Sequence, residues 1–173
     1  MLGKGYVHVY TGNGKGKTTA MLGLSLRAAG AGLNVYIGQF IKSMAYSEVN
    51  AIKSSLPNIE IEQYGAGCLI MRGPSPEDIE CGAAGIEKAT QAMLSGKYDV
   101  IALDEVNVAV HLGVVELEDV LELIEKKPNG VELILTGRYA QPEVISKADV
   151  VSEINDVKHY YNAGVMARDG IER

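Results

Sequence analysis

The stretch Thr11-Gly12-Asn13-Gly14-Lys15-Gly16-Lys17-Thr18-Thr19 concentrates residue types that handle phosphate. Its glycines let successive backbone N–H groups converge on phosphate oxygens. Lys17 supplies a charge to neutralise them, and the Thr18 hydroxyl suits a Mg²⁺ ion. The pattern is a phosphate loop, G-x-x-x-x-G-K-[ST], with Thr11 where the first glycine is expected. Further along, the run Asp99-Val100-Ile101-Ala102-Leu103, apolar from Val100 on, closes in Asp104-Glu105. Beside a phosphate loop, such an acidic strand end holds a metal, with Asp104 bound directly or through water. Glu105 either assists the metal or activates a water. Thr136-Gly137-Arg138 closes another apolar run, and an arginine there is placed to reach phosphate oxygens.

A loop of this kind works only between a strand and a helix. Tyr6–Tyr10 reads as that strand and Lys17–Ala29 as that helix, with Ala20, Gly23 and Ala28 as the small residues that let it approach a sheet. Asn34–Ile41 and Ile59–Tyr64 read as further strands. Ser75-Pro76-Glu77-Asp78 carries an N-cap serine, a proline at the first helical position and acids in the first turn. The helix it opens runs to Gly96, with Ile79, Ala83, Ile86, Thr90 and Met93 on one face. Residues 99–103 are continuously apolar after Asp99, as in a buried central strand. Leu117, Val120, Leu121 and Ile124 follow helical spacing, ending in Lys126 and Lys127 before Pro128-Asn129-Gly130. Val131–Thr136 and Val150–Ile154 complete the strands. Strands alternating with helices predict an α/β fold with a parallel sheet.

The chain has 173 residues, 47% of them hydrophobic and 22% charged, which suits one globular domain over residues 1–173. A formal charge of −6 argues against a nucleic-acid or anionic-membrane surface. No apolar run reaches the ~18 residues of a membrane span. The N-terminal residues show no apolar leader, so the expectation is a cytoplasmic protein. Cys68 and Cys81 form no CxxC pair, and His8, His111 and His159 lack metal-ligand spacing. Cys68 reads as a small buried hydrophobe, and His8 and His111 as ordinary packing residues.

Taken together, these segments resemble the P-loop type of ATP:corrinoid adenosyltransferases, which carry the same T-G-N-G-K-G-K-T-T loop with its initial threonine. Gln39-Phe40-Ile41-Lys42 and Leu103-Asp104-Glu105-Val106-Asn107 match two more family segments. So do Thr136-Gly137-Arg138-Tyr139-Ala140 with Ala148–Glu153, and Lys158-His159 with Ala163–Glu172. The resemblance implies a RecA-like fold. It implies transfer of the 5′-deoxyadenosyl group of ATP to the Co(I) of a reduced corrinoid, releasing triphosphate, in adenosylcobalamin synthesis or salvage.

On that resemblance Gly12, Asn13, Gly14, Lys15, Gly16, Lys17, Thr18 and Thr19 cradle the triphosphate, which lies in the loop in reverse order. Thr18, Asp104 and Glu105 hold Mg²⁺ (or Mn²⁺), while Lys17, Arg138 and Glu105 serve the chemistry. Arg27 approaches the nucleoside. A homodimer and a reductase supplying Co(I) are the implied partners. One departure lies at Gly65–Arg72, where the family places aromatics after a glycine-rich turn: Cys68 and Ile70 stand in their place here, followed by Met71. These three are the expected cover of the corrin face. The loop and carboxylates also permit a P-loop NTPase or kinase that cleaves the γ-phosphate, or a nucleotide-dependent binder without catalysis. The phosphate products and turnover distinguish the three.

Overall fold

The computed structural model describes residues 2–44, 46–67 and 73–172. Six strands form one sheet: β1 (Val7–Thr11), β2 (Val35–Phe40), β3 (Ile59–Tyr64), β4 (Val100–Asp104), β5 (Glu132–Thr136) and β6 (Val150–Glu153). Their order is β3-β2-β4-β5-β1-β6, and every pairing is parallel. This is an α/β sheet consistent with a RecA-like P-loop fold. Parallel neighbours need crossovers, which here include α1 (Lys17–Gly30), α2 (Ser47–Ser55), α3 (Pro76–Leu94), α4 (Val106–His111), α5 (Leu117–Lys126) and α6 (Pro142–Lys147).

Side chains alternate across each strand, so each central strand feeds two cores. Val100 and Ala102 pack with Met21 and Ala28 of α1 and Val49 and Ile52 of α2. Ile101 and Leu103 pack on the opposite face with Ile86 and Met93 of α3 and Leu123 of α5. The strand and helix expectations hold within a residue or two at each end. Ser75 caps α3, as its sequence predicts, and the structure adds a reciprocal capping box with Asp78.

Three expectations are corrected. The sheet-facing residues of α1 are Met21, Ser25 and Ala28, whereas Ala20 and Gly23 are exposed. On α3, Ile79 and Ala83 are also exposed, and Gly82, Gly85, Ile86, Ala89 and Met93 face inward. Glycine allows that rotation. A Cβ on Gly85 would stand 2.8 Å from both the Phe40 and Tyr64 rings, and one on Gly82 would stand 2.4 Å from the Val114 carbonyl oxygen. Apolar spacing misses this because the contact surface is built from absent side chains. The third correction is His111, which is exposed and stacks on Tyr139 with ring centroids 4.2 Å apart. His8 is half-buried, as expected, and meets the Glu132 carboxylate at 2.5 Å.

The carboxyl ends of the strands carry the irregular backbone. Ile41, Glu105 and Tyr139 all have positive φ, at 60°, 59° and 64°. Non-glycine residues pay a steric penalty there, and such strain concentrates at functional sites.

Candidate functional site

The phosphate loop follows β1 and opens α1. Gly12 and Gly16 take φ of 92° and 122°, which a side chain would oppose. The first-turn N–H groups of α1 lack intrahelical acceptors, as in any helix, and the N-cap Gly16 has no side chain to cap them. They border a cavity of about 510 Å³ lined by Asn13–Thr19 together with residues from distant elements. Lys17 folds back over the loop. Its Nζ donates to the carbonyl oxygens of Gly12 and Gly14, both at 2.7 Å, and the residue is only 5% exposed. Burial lowers its pKa from the ordinary lysine value against the opposing pull of Glu105. Thr11 accepts a 3.4 Å hydrogen bond at Oγ1 from the Ala140 N–H. The threonine that replaces glycine thus ties β1 to the turn after β5.

Asp104 ends β4 fully buried, at 0% exposure. Thr18 and Thr136 hydroxyls donate to its Oδ1 at 2.9 and 2.8 Å. Gln39 donates to Oδ2 at 3.2 Å, and Lys42 Nζ sits 2.6 Å from the same oxygen. Such a set is what a buried charge needs: one cation and full hydrogen bonding. Burial opposes the charge on Lys42, but Asp104, with help from Glu105 and Glu48, outweighs it and raises the lysine pKa. Glu105 follows in the left-handed region, with its N–H donating to Thr136 Oγ1 at 3.1 Å. Burial, and then the Asp104 charge, raise the Glu105 pKa above the usual carboxylate range.

The C-terminal segment closes over the loop. Gly14 N–H donates to the Ile154 carbonyl at 2.7 Å, and Lys15 N–H to Asp156 Oδ1 at 3.1 Å. Lys15 Nζ reaches the Tyr160 hydroxyl at 2.5 Å and the Glu172 carboxylate at 2.6 Å. Glu172 also accepts from the Tyr160 hydroxyl and from the Arg168 N–H, the latter at 2.8 Å. These contacts hold the Glu172 carboxyl well below the usual range, with Arg168 the largest cause. A Cβ on Gly12 would stand 2.4 Å from the Ile154 carbonyl oxygen, and one on Gly14 2.8 Å from it. Two loop glycines are therefore required by the approach of this segment.

Lys17, Thr18, Thr19, Glu105 and Arg138 all border the one cavity, and Asp104 lies beneath it on Thr18. Arg27 does not join them. It is exposed in the last turn of α1, ten residues and about 15 Å along the helix from Lys17. Cys68, Ile70 and Met71 lie outside the described residues. Sequence reasoning gave no role to Lys42, Asp156, His159 or Glu172, which also line the cavity. A lysine two residues past the apolar run of β2 was a usable signal for Lys42. Asp156 and Glu172 reach the loop across more than 140 positions of chain, which no local pattern encodes.

Residues 3–173 match the family model described as ATP:corrinoid adenosyltransferase BtuR/CobO/CobP. The chain belongs to this family of adenosyltransferases. It is 35% identical over 170 residues to a corrinoid adenosyltransferase of Pseudomonas aeruginosa, covering 98% of this chain and 84% of that protein. It is 32% identical to the corrinoid adenosyltransferase of Escherichia coli K12, and 33% identical to corrinoid adenosyltransferase CobA of Salmonella typhimurium. Each of these comparisons covers 98% of this chain and 86% of the relative. As a family member it is a transferase, with ATP and a corrinoid as its substrates. No described helix is long and apolar enough to cross a membrane.

Proposed function

We propose that this adenosyltransferase binds ATP through Gly12–Thr19 and directs its 5′ carbon toward a Co(I) corrinoid. The cobalt electron pair forms the Co–C bond as the C5′–O bond breaks. The bonding electrons of C5′–O leave with triphosphate, and cobalt becomes an alkyl-Co(III) centre. The nucleophile comes with the substrate, so the protein has two tasks: to orient the reactants and to stabilise a highly charged leaving group. The observation that carries the reading is the convergence of Lys17, Lys42 and Arg138 on the cavity beside the loop. One opens α1 and two follow the ends of β2 and β5, and all three line the cavity in which we place the leaving group.

Lys17 leaves its loop carbonyls to contact the triphosphate, and Arg138 neutralises the charge that develops as C5′–O breaks. Glu105 assists the metal site rather than activating water. Thr18 and Asp104 supply the hard oxygen donors that Mg²⁺ prefers. Thr18 and Asp104 would hold the ion, with the Asp104 carboxylate already accepting from four donors. Mg²⁺ there would supply charge to offset that of the phosphates. Arg27 is the nucleoside contact that family membership implies. The enzyme acts as a cytoplasmic homodimer supplied with Co(I) by a reductase, in adenosylcobalamin synthesis or salvage.

The test is an anaerobic assay with ATP, Mg²⁺ and chemically reduced corrinoid, followed by absorbance. The reading requires the Co(I) spectrum to give way to that of an alkyl-corrinoid at a rate set by the enzyme. A Co(I) spectrum that persists while ATP is consumed refutes it.

A further inference from the structure

We propose that Tyr139, backed by His111, is a stacking platform for the corrin ring. The inference rests on the adenosyl-transfer reading above and adds a location for the second substrate. Tyr139 follows Arg138 directly at the carboxyl end of β5, where open α/β sheets bind ligands. It is 50% exposed, and its one ring partner among the described residues is His111, at a centroid distance of 4.2 Å and an interplanar angle of 29°. The partner covers one face of the tyrosine ring and fixes its plane, leaving a flat aromatic surface toward solvent.

The backbone makes an ordinary surface tyrosine a poor explanation. Tyr139 is held at φ 64°, a conformation that glycine adopts without penalty and tyrosine does not. The turn is fixed from both sides. Gly137 packs so closely on α4 that a Cβ there would stand 3.0 Å from Asn107 Cβ and from the Val108 nitrogen, and Ala140 N–H is held by Thr11. A large aromatic side chain is thus presented outward from a strained, anchored position beside a cavity-lining arginine.

Stereochemistry chooses between the two flat substrates. The triphosphate anchored at Lys17 is the leaving group, so cobalt approaches the 5′ carbon in line with the breaking C5′–O bond, on the side away from the departing oxygen. The loop opens α1, which packs on one face of the sheet. Tyr139 stacks on His111, the last residue of α4, and the buried Val106 and Ala109 of that helix belong to the core on the other face. We place the corrinoid on that side, away from the helix that holds the leaving group. Its extended, largely apolar ring matches an aromatic surface, since sites for such molecules use apolar walls with few polar groups.

Tyr139→Gly separates this role from a structural one, because glycine relieves the backbone strain while deleting the ring. Equilibrium dialysis of cob(II)alamin with ATP present measures corrinoid binding. A nucleotide titration and a melting curve accompany it. The platform requires Tyr139→Gly to weaken corrinoid binding about tenfold or more, the scale of one lost stacking contact. ATP affinity and melting temperature are retained, Tyr139→Trp keeps corrinoid affinity, and His111→Ala loses less than Tyr139→Gly. Unchanged corrinoid binding in Tyr139→Gly overturns the proposal. So does a selective loss of ATP affinity, which would assign the platform to the nucleoside. If the wild type binds cob(II)alamin through Tyr139 but forms no Co–C bond, the platform stands and the transfer reading falls. If the wild type binds no corrinoid, both fall.

Discussion

Lys42→Met tests whether the ion pair beneath the cavity holds the site together. The substitution keeps the aliphatic stem and removes the charge. Asp104 is fully buried, and the Lys42 side chain is 15% exposed, so solvent screens the pair little. Removing one partner of a buried pair costs ~3–5 kcal/mol when the other charge is abandoned. Here Thr18, Thr136 and Gln39 still donate to the carboxylate, which brings the expected loss to about 2–3 kcal/mol, the worth of one charged hydrogen bond. For a chain of this size each kcal/mol lowers the melting temperature by ~2–4 °C, so the variant should melt about 4–12 °C below wild type in metal-free buffer. Added Mg²⁺ should then stabilise the variant more than the wild type, because a cation can take the place of the ammonium beside Asp104. Thermal melts with EDTA and with excess Mg²⁺ read both effects. A variant that melts with wild type in EDTA would show that the 2.6 Å contact carries no net energy and would refute the reasoning.

Lys17→Ala should cost at least ~100-fold in kcat, the scale of one lost electrostatic stabiliser, with its circular dichroism spectrum intact. A folded variant with normal turnover removes the loop from the chemistry. Because burial lowers the Lys17 pKa in the free enzyme, its charge is lost at lower pH than that of an ordinary lysine. The kcat/KM for ATP should fall as that charge is lost, and an ATP dependence flat to the ordinary lysine pKa contradicts it. Gly12→Ala should detach the C-terminal segment, since its φ is 92° and its Cβ would stand 2.4 Å from the Ile154 carbonyl oxygen. Limited proteolysis should then cut within residues 155–172, and resistance equal to wild type would refute the steric argument.

The six strands and helices α1, α3 and α5 were legible because hydrophobic runs, caps and breakers are local. Ser75 with Asp78 and the glycine-rich turn into Lys17 announce their elements directly. The loop, the Asp104-Glu105 strand end and Arg138 were legible for the same reason, since each is a short motif at the end of a strand. The inward face of α3 was not, because Gly82 and Gly85 make contact by having no side chain. Six-residue α4 is too short to display a helical period, and it begins at Glu105 in a left-handed conformation that sequence does not advertise. Lys42 was half-legible: its position past β2 was visible, but its salt bridge to Asp104 needs β2 and β4 to be neighbours. The closure of the loop by Asp156 and Glu172 depends wholly on where β6 leads the chain.

The central claim is that the 5′ carbon of ATP, and not a phosphorus atom, is attacked. ATP carrying ¹⁸O at the C5′–O–P bridge tests this in a single measurement of the phosphorus-containing products by mass spectrometry. Attack at carbon predicts unbroken triphosphate that retains the label, formed in step with the alkyl-corrinoid. ADP with inorganic phosphate as the main products in the presence of Co(I) corrinoid would contradict the account and make this chain a γ-phosphate-cleaving enzyme instead.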